Sequence, residues 1–366
     1  MSSLQLGIVG LPNVGKSTLF NALTDSNILA ANYPFATIEP NTGIVPVPDE
    51  RLIKLSELYG GAPIKPATVT FVDIAGLVAG ASKGEGLGNQ FLSHIRSCQA
   101  IVQVVRAFED SNVTHVDTQH NPGKDIDVIN TELVLADLQT VANRLPRLEK
   151  EAKANSKMKP YVDLLSRVRA LLDAGTPLFA GEVDLADESK EWLRKELQLL
   201  TLKPIMYLFN LDETKLTDEK MHSELQSQVS PAPALFVCAK LEDELRSLDE
   251  SDRSELLTSY GVKESGLVQL IHSAYATLGL QSYLTAGDKE VRAWTIPKDA
   301  TAPQAAGVIH GDFERGFIAA DIVSYPDLIA AGSLPAARAA GKVRTEGKTY
   351  IMQPNDVVEF KFNVSK

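Results

Sequence analysis

The sequence predicts an α/β fold in which a doubly wound sheet is interrupted by a pair of helices and followed by a small β-rich region. Short apolar runs alternate with amphipathic stretches near the N-terminus and again after residue 200, as in a parallel sheet covered by helices. A heptad-like pattern separates these two parts, and short β-like runs divided by Gly and Pro end the chain. The length of 366 residues suits two or three domains.

The first part of the chain, residues 1–125, contains predicted strands and helices in alternation. Each predicted strand is a short apolar run, and glycine-rich turns lie between the elements. The predicted strands are Leu4–Val9, Val69–Val72 and Ile101–Val105, and the predicted helices are Lys16–Leu23 and Phe91–Ser97.

The second part, residues 126–200, is predicted to be helical, because apolar residues recur there at alternating gaps of four and three. This spacing favours two helices that pair as an antiparallel hairpin with a turn at Asn155–Lys159. Pro146 is expected to kink the first helix. The alternative is two amphipathic helices packed on the main domain, since periodicity does not say what the apolar stripe faces. The seam residues are Val134, Leu138, Val141, Leu145, Leu148, Tyr161, Leu165, Val168 and Leu172.

The last two parts, residues 201–280 and 281–366, differ in character. The former returns to the α/β pattern, with predicted strands Pro204–Phe209 and Leu235–Val237 and a predicted helix Leu267–Leu278. The latter is predicted to be a small β-rich domain, because its apolar runs are short and are separated by Gly and Pro turns. Its predicted strands are Val291–Ile296, Gly316–Ile322, Thr349–Met352 and Asp356–Phe362.

Composition and charge limit the classes of function. Hydrophobic residues make up 44% and charged residues 23%, and no apolar run reaches membrane-spanning length, so we expect a cytoplasmic protein without a membrane partner. The net charge of -11 argues against a general nucleic-acid binder, and we expect no sequence-specific DNA partner. Residues 281–366 carry 10 basic and 10 acidic residues, so this block repels RNA less than the rest. Cys98 and Cys238 have no metal-like spacing and are expected to be core thiols.

The strongest motif is Gly10–Ser17, which matches the pattern G-x-x-x-x-G-K-S/T between an apolar strand and an amphipathic helix. Glycines allow backbone N–H groups to turn inward around phosphates, and the helix N-terminus adds its dipole. Lys16 is predicted to contact the β- and γ-phosphates of a nucleotide, and Ser17 to ligate Mg²⁺. The residues expected to hold the phosphates are Gly10, Asn13, Val14, Gly15, Lys16, Ser17 and Thr18.

Two further elements complete the predicted phosphate site. Asp73 to Gly76 fit the D-x-x-G element, in which Asp73 holds Mg²⁺ through water and the Gly76 N–H reaches the γ-phosphate. Thr37 is predicted to complete the metal coordination by analogy with switch loops, and an ordinary loop residue is the alternative. Five glycines between residues 76 and 88 indicate a segment that orders with nucleotide and relaxes after hydrolysis.

Longer runs of sequence resemble one family. Gly7–Leu23 resembles the Obg branch of translation-factor-class GTPases, and three further runs look specifically like the YchF family of Obg-like ATPases. The resemblance covers nearly the whole chain. It implies a P-loop G domain (1–125 and 201–280), a coiled-coil insertion (126–200) and a C-terminal TGS domain with a β-grasp fold (281–366). The three runs are Asn32–Gly43, Phe71–Gln90 and Ala293–Gly307.

The resemblance also implies a preference for ATP, for which the residues offer a reason. GTPases read guanine with N-K-x-D, and the matching segment here runs from Asn210 to Glu213. Leu211 replaces the lysine, and Glu213 is one methylene longer than the aspartate, so the bidentate contact with guanine is displaced. Asn210 and the backbone near Leu211 are expected to accept the adenine amino group. The alternative is that the Asp212 carboxylate restores some contact with guanine.

Two other loops bear on the base and on the reaction. Cys238 and Ala239 begin a segment that resembles the last nucleotide loop of GTPases and are expected to border the base. Ras-like enzymes place a water-orienting glutamine after D-x-x-G, but Leu77 occupies that position here. Asn13 matches the residue that ligates K⁺ in similar enzymes, so we predict K⁺-assisted hydrolysis with Lys16, Asn13 and Gly76 as the catalytic groups. His94 is expected to be a packing or hydrogen-bonding residue.

The resemblance therefore predicts a regulatory ATPase switch that uses ATP, Mg²⁺ and K⁺ and associates with the ribosome or a ribosomal subunit. Lys342, Arg344 and Lys348 form a small basic group for contact with rRNA, and a solvated face is the alternative. Two other functions stay open: a GTPase of ribosome assembly, and a nucleotide-dependent scaffold with negligible hydrolysis.

Overall fold

The structure is a computed structural model that describes residues 4–25, 41–74, 87–108, 121–180 and 187–363. The chain forms two compact units. The first unit consists of Met1–Ile44 and Thr70–Leu270, and the second of Val45–Val69 and Ile271–Lys366. Within the described ranges, no helix combines the length and the apolar character needed to cross a membrane.

The first sheet has six strands in the order β2-β4-β1-β5-β6-β7, numbered along the chain. Strands β4, β1, β5, β6 and β7 run parallel. All residues of β5 and β6 are buried, as expected for central strands of a sheet covered on both faces. The bounds are β1 Gln5–Val9, β2 Thr42–Pro46, β4 Thr68–Asp73, β5 Ala100–Arg106, β6 Ile205–Asn210 and β7 Ala234–Val237, with β3 (Ile64–Lys65) in the second sheet.

Helices alternate with these strands, which confirms the predicted doubly wound α/β fold. Because the strands are parallel, their C-terminal ends meet at one edge of the sheet, where ligands of such folds bind. The helices that begin in the first unit are α1 Lys16–Asp25, α3 Leu87–Ser97, α4 Pro122–Ala154, α5 Lys159–Asp173, α6 Asp187–Glu196, α7 Glu219–Val229, α8 Ala239–Leu245, α9 Glu250–Ser259 and α10 Gly266–Thr277, with α2 (Glu50–Leu58) in the second unit.

Helices α4 and α5 pair along the predicted seam. A short 3-10 turn, Ser156–Met158, joins them within the predicted turn, and Pro146 lies inside α4. All nine seam residues belong to one apolar cluster, seven of them buried and two partly buried. Helix α6 also packs on this cluster, where the Trp192 and Tyr161 ring centroids are 4.6 Å apart. The heptad pattern did not predict this third helix.

A buried polar group fixes α4 to the segment that leads into β6. The Asp137 carboxylate of α4 accepts hydrogen bonds from the Leu200 N–H at 2.8 Å and from the Thr201 N–H and hydroxyl at 2.7 Å each. Burial raises the pKa of the Asp137 carboxyl, and the three donors oppose that effect. Lys203, two residues after Thr201, donates to the Arg96 carbonyl at 3.0 Å and to the carbonyl of Cys98, which directly follows α3. One short segment therefore holds α3 and α4 together.

The second sheet also has six strands, in the order β11-β10-β12-β8-β9-β3, and is mixed. Strand β10 is antiparallel to β11 and β12, whereas β12 is parallel to β8 and β3 to β9. One face packs on α11 (Ala302–Ile309), where the buried Tyr283 hydroxyl donates to the Ala305 carbonyl at 2.9 Å. The remaining elements are β8 Leu280–Ala286, β9 Val291–Pro297, β10 Phe317–Ser324, β11 Arg344–Glu346, β12 Asp356–Phe362, α12 Gly311–Arg315, α13 Tyr325–Ala331 and α14 Leu334–Ala339.

Two features of the second unit differ from the sequence predictions. Thr349–Met352 is not a strand, because its backbone bonds to the start of α11: Ala302 N–H donates to the Tyr350 carbonyl at 2.9 Å, and Met352 N–H to the Ala300 carbonyl at 3.0 Å. Residues 45–69, which the sequence placed in the first part, belong to the second unit through the β3–β9 pairing. The boundaries predicted for the helical insertion and for the C-terminal domain stay predictions.

Candidate nucleotide-binding site

The loop between β1 and α1 is shaped by two glycines. A Cβ atom at Gly10 would lie 2.9 Å from the Val104 carbonyl oxygen, and one at Gly15 would lie 2.3 Å from Asn210 Nδ2. Gly15 also has φ of +89°, in the left-handed region, and Asn13 has φ of 65°. Asparagine tolerates this region better than most residues. The close packing therefore requires glycine at both positions, in agreement with the motif.

The centre of the site is an ion pair between Lys16 and Asp73. Lys16 is the first residue of α1 and is 9% exposed, and its ammonium group pairs with the Asp73 carboxylate at the end of β4. The parallel register places Ile8 beside Asp73, so the loop and the carboxylate share the C-terminal edge of the sheet. A lysine and an aspartate at this edge can serve a phosphate group and its cation.

The donors at this edge fit Mg²⁺, which prefers oxygen ligands and commonly takes one or two from protein and the rest from phosphate and water. Asp73 offers a carboxylate, and Ser17 offers an exposed hydroxyl at the start of α1. Thr18 is exposed beside it. The other predicted groups, Thr37, Gly76 and Leu77, lie outside the described residues.

Asn210 ties the phosphate loop to the last nucleotide loop. Its side-chain Nδ2 donates to the Val14 carbonyl at 3.0 Å, and its Oδ1 accepts from the Ala239 N–H at 2.9 Å. The side chain is 4% exposed, and the neighbouring Leu211 is 2% exposed, with its N–H donating to the Val237 carbonyl at 2.7 Å. Asn210 and Leu211 thus hold the two loops in place, and their predicted contact with adenine stays a prediction.

Glu213, at the position that reads guanine in GTPases, is paired with Lys240. The carboxylate and the ammonium group lie 2.7 Å apart, and the side chains are 23% and 72% exposed. The Lys240 bond lowers the pKa of the Glu213 carboxyl. This contact was not predicted from the sequence. Its signals there were the extra methylene of Glu213 and the lysine that follows Cys238 and Ala239.

Cys238 is a packing residue beside the base loops. Its sulfur accepts weakly from the Leu241 N–H at 3.5 Å and lies in an apolar cluster with Leu241 and Leu245. Burial raises the pKa of the Cys238 thiol and of the Cys98 thiol, which keeps both in the neutral form at neutral pH. Both cysteines are therefore core thiols, as predicted.

Two other groups of interest have exposed side chains. His94 is exposed on α3, so it does not pack in the core, and a hydrogen-bonding role stays a prediction. Lys342 pairs with Asp327 at 3.1 Å, and Arg344 pairs with Glu346 at 3.6 Å. Two of the three cations of the predicted basic group are thus partly neutralised by nearby acids, which favours the solvated-face interpretation.

Two family models match the chain. A model described as a 50S ribosome-binding GTPase matches residues 5–144. A model for the C-terminal part of YchF GTPases, described as a protein of unknown function (DUF933), matches residues 280–363. The first match contains the phosphate loop and Asp73, and the second covers most of the mixed sheet.

Similar proteins extend over nearly the full length. The chain is 49% identical over 368 residues to a Ribosome-binding ATPase YchF of Bacillus subtilis (strain 168), covering 99% of this chain and 100% of that protein. It is 50% identical over 361 residues to the protein of the same description from Escherichia coli O157:H7, covering 98% and 99%. A solved structure described as the Schizosaccharomyces pombe YchF GTPase matches with a TM-score of 0.87 and 39% identity, covering 98% of both chains.

Proposed function

The chain belongs to the YchF family, and from this membership we propose that it is a cytoplasmic ATPase that associates with the ribosome. Relatives that carry the description of ribosome-binding ATPase match the whole chain at about half identity. ATP is the proposed substrate, with Mg²⁺ as the cofactor. A stimulating K⁺ ion is proposed from Asn13 alone.

The single observation that carries the enzymatic part is the Lys16–Asp73 pair beneath the phosphate loop. A buried ammonium group at the start of α1 can neutralise phosphate charge, and its low exposure strengthens that interaction. The backbone N–H groups of the loop add donors along a strongly curved path, which Gly10 and Gly15 make sterically possible.

The protein's own groups have distinct roles in this proposal. Lys16 binds the β- and γ-phosphates and stabilises charge that develops on them in the transition state. Ser17, and Asp73 through water, would hold a Mg²⁺ ion, which would neutralise phosphate charge. Asn210 keeps the phosphate loop and the Cys238–Ala239 segment at a fixed separation through its two hydrogen bonds. Gly76 and Thr37 keep their predicted contacts with the γ-phosphate and the cation.

The proposed preference for ATP rests on the Glu213–Lys240 pair. Guanine presents the ring N1–H and an amino group, which GTPases bind with both oxygens of one carboxylate. Here one carboxylate oxygen is 2.7 Å from an ammonium group that carries only donors. A site that leaves polar groups of guanine imperfectly paired loses affinity for guanine. This contact favours an ATPase over the alternative GTPase.

The deciding experiment is competition between ATP and GTP for the purified full chain with Mg²⁺ and K⁺, followed by single-turnover hydrolysis. We expect ATP to bind more tightly and to be hydrolysed, with hydrolysis at least about a hundredfold slower in Lys16→Ala. Lys54→Ala, an exposed lysine of α2, is the matched control and should hydrolyse ATP at the normal rate. Tighter GTP binding supports the GTPase, and bound ATP without turnover supports the scaffold.

The proposed ribosome contact needs its own measurement. Co-sedimentation of the protein with ribosomes, with ATP or ADP present and across a salt series, tests it. We expect binding that depends on the nucleotide. Equal co-sedimentation with ATP and with ADP, or no co-sedimentation with the ribosome at all, counts against a nucleotide-dependent switch.

A further inference from the structure

The second unit contains a cavity of about 580 Å³ on one face of its sheet. The floor is made by Asp321 and Val323 of β10 and by Val357 and Glu359 of β12. Asp321 and Val323 alternate along β10 with Ala320 and Ile322 of the core that packs on α11, so they face the opposite side of the sheet. Val358 of β12 belongs to that core and also lines the cavity. The walls come from the end of α2, the β8–β9 turn and the start of α14.

Three separate parts of the chain therefore enclose one space. Leu58 and Tyr59 contribute from the end of α2, Ala286–Asp288 from the turn, and Ser333–Pro335 with Arg338 from α14. The volume lies within the 300–1,000 Å³ that is usual for small-molecule sites, and the apolar walls with a few convergent polar groups are also typical of such sites.

The carboxylates of the cavity differ in how well they are paired with cations. Asp321 is 6% exposed, and it accepts from the Thr345 hydroxyl and the Lys361 ammonium at 2.7 Å each and from Arg338 at 3.2 Å. Its charge is thus already compensated. Glu359 lies 3.9 Å from the same Arg338 guanidinium. Within the part of the chain that the structure describes, no ion pair includes Asp288.

Tyr59 lies beside these carboxylates as another polar group of the cavity lining. Burial raises the pKa of the Tyr59 hydroxyl, and the negative charges of Asp288 and Glu359 raise it further. Tyr59, Asp288 and Glu359 all line the cavity, together with the apolar side chains of Val323 and Val357.

We propose that this cavity binds a small aliphatic cation, an alkylammonium or alkylguanidinium compound whose carbon chain lies on Val323 and Val357. Its charged end meets Asp288 and Glu359, because charge-assisted hydrogen bonds to carboxylates are the strong ones. Its chain covers apolar surface in the way that a lysine stem does. The two carboxylates repel an anion. Arg338, which could attract one, is already paired with Asp321. A neutral chain lacks the charge-assisted hydrogen bonds to these carboxylates.

Titration of the full-length protein with n-butylguanidinium chloride, followed by saturation-transfer NMR, tests the proposal, with 1-pentanol as the neutral probe of similar length. We expect saturable binding of the cation, at least about fivefold weaker binding of the alcohol, and weaker cation binding as sodium chloride is raised. Equal binding of the two probes, or no saturable binding of the cation, overturns the proposal.

Variants assign the binding to this cavity. The double variant Asp288→Asn with Glu359→Gln should weaken butylguanidinium binding at least about fivefold. Glu290→Gln is the matched control, because this carboxylate is two residues away and pairs with Lys65 at 2.6 Å outside the cavity. It should bind as the unchanged protein does. An unchanged affinity in the double variant, or an equal loss in the control, overturns the assignment. Circular dichroism confirms that each variant is folded.

Discussion

At the scale of single residues, the pairing of Glu213 with Lys240 gives the most specific prediction for substrate choice. In Lys240→Met the carboxylate loses its partner but the aliphatic stem remains, so we expect the ratio of GTP to ATP affinity to rise by about threefold. Competition binding with a fluorescent nucleotide measures that ratio. Lys215→Met, which removes an exposed lysine paired with Asp218 at 3.3 Å, should leave it unchanged. If the ratio of GTP to ATP affinity stays constant in both variants, Lys240 does not take part in base selection.

Asn13 allows a test of the K⁺ prediction that is free of backbone strain. Because Asn13 has φ of 65°, alanine at this position would distort the loop, whereas Asn13→Gly removes the amide and keeps the conformation accessible. We expect ATP hydrolysis in the unchanged protein to be faster in K⁺ than in Na⁺, and the two rates to become equal in Asn13→Gly. A variant that keeps its response to K⁺ shows that Asn13 does not serve the ion.

Glu242 gives a prediction for the pH dependence of stability. Its carboxylate is buried and accepts from the Ser265 hydroxyl and the Gly266 N–H at 2.6 Å each, and burial raises its pKa above the ordinary 4.5. The folded state therefore binds this proton more tightly than the unfolded chain does. Its contribution to stability is complete below the ordinary pKa and is lost as pH rises through the raised pKa.

Replacement of Glu242 by glutamine should remove that loss, since the amide keeps two hydrogen bonds and carries no charge. We expect urea unfolding between pH 5 and pH 8 to show a smaller fall in unfolding free energy for Glu242→Gln than for the unchanged protein. Glu244→Gln, at an exposed position of the same helix, is the control and should follow the unchanged protein. Parallel pH profiles for all three proteins would contradict the assignment to Glu242.

These residue-scale features differ in how far the sequence could predict them. The juxtaposition of Gly10, Gly15, Lys16 and Asp73 could be predicted, because the two sequence motifs impose a local spacing on one loop and one strand end. The Glu213–Lys240 pair was not, because its partners are 27 residues apart and meet only when β6 and β7 pair. The cavity of the second unit left no local signal, since its residues come from distant segments of the chain.

At the scale of elements, the Asp137 carboxylate makes a prediction about the attachment of α4. In Asp137→Asn one carboxylate oxygen becomes an amino group and faces a buried N–H donor at the Leu200–Thr201 turn. We expect the free energy of unfolding to fall by roughly 1–3 kcal/mol. Chemical denaturation measures the loss. Asp173→Asn, at an exposed position of α5, should change stability by less than about 0.5 kcal/mol.

The elements that the sequence predicted are those with strong periodicity. The apolar runs of β1, β5 and β6 became buried parallel strands, and the heptad-like seam became the α4–α5 pair. Strand β3 escaped prediction because its two residues are exposed and show no alternation. Helix α2 has sequence signals of its own: Asp49 caps its N-terminus, and Leu52 and Leu55, three residues apart, are both buried.

At the scale of the whole molecule, the two tryptophans report the two units separately. Trp192 packs on Tyr161 in the first unit. In the second unit, the Arg292 guanidinium carbon lies 3.8 Å from the centroid of the Trp294 ring. Saturating ATP with Mg²⁺ should raise the thermal midpoint reported by Trp192 more than the one reported by Trp294, because a ligand stabilises what it binds. Trp294→Phe and Trp192→Phe isolate each signal. Identical shifts would show that the two units unfold as one.

The placement of residues 45–69 has a consequence for biosynthesis. Strand β3 pairs with β9, which leaves the ribosome about 230 residues later, or roughly 11–45 seconds at usual elongation rates. During that interval Leu52 and Leu55 of α2 have no finished core to enter. The second unit thus depends on a segment that is made early and must wait for the last quarter of the polypeptide. A nascent chain halted before β9 should expose this segment to proteases and chaperones.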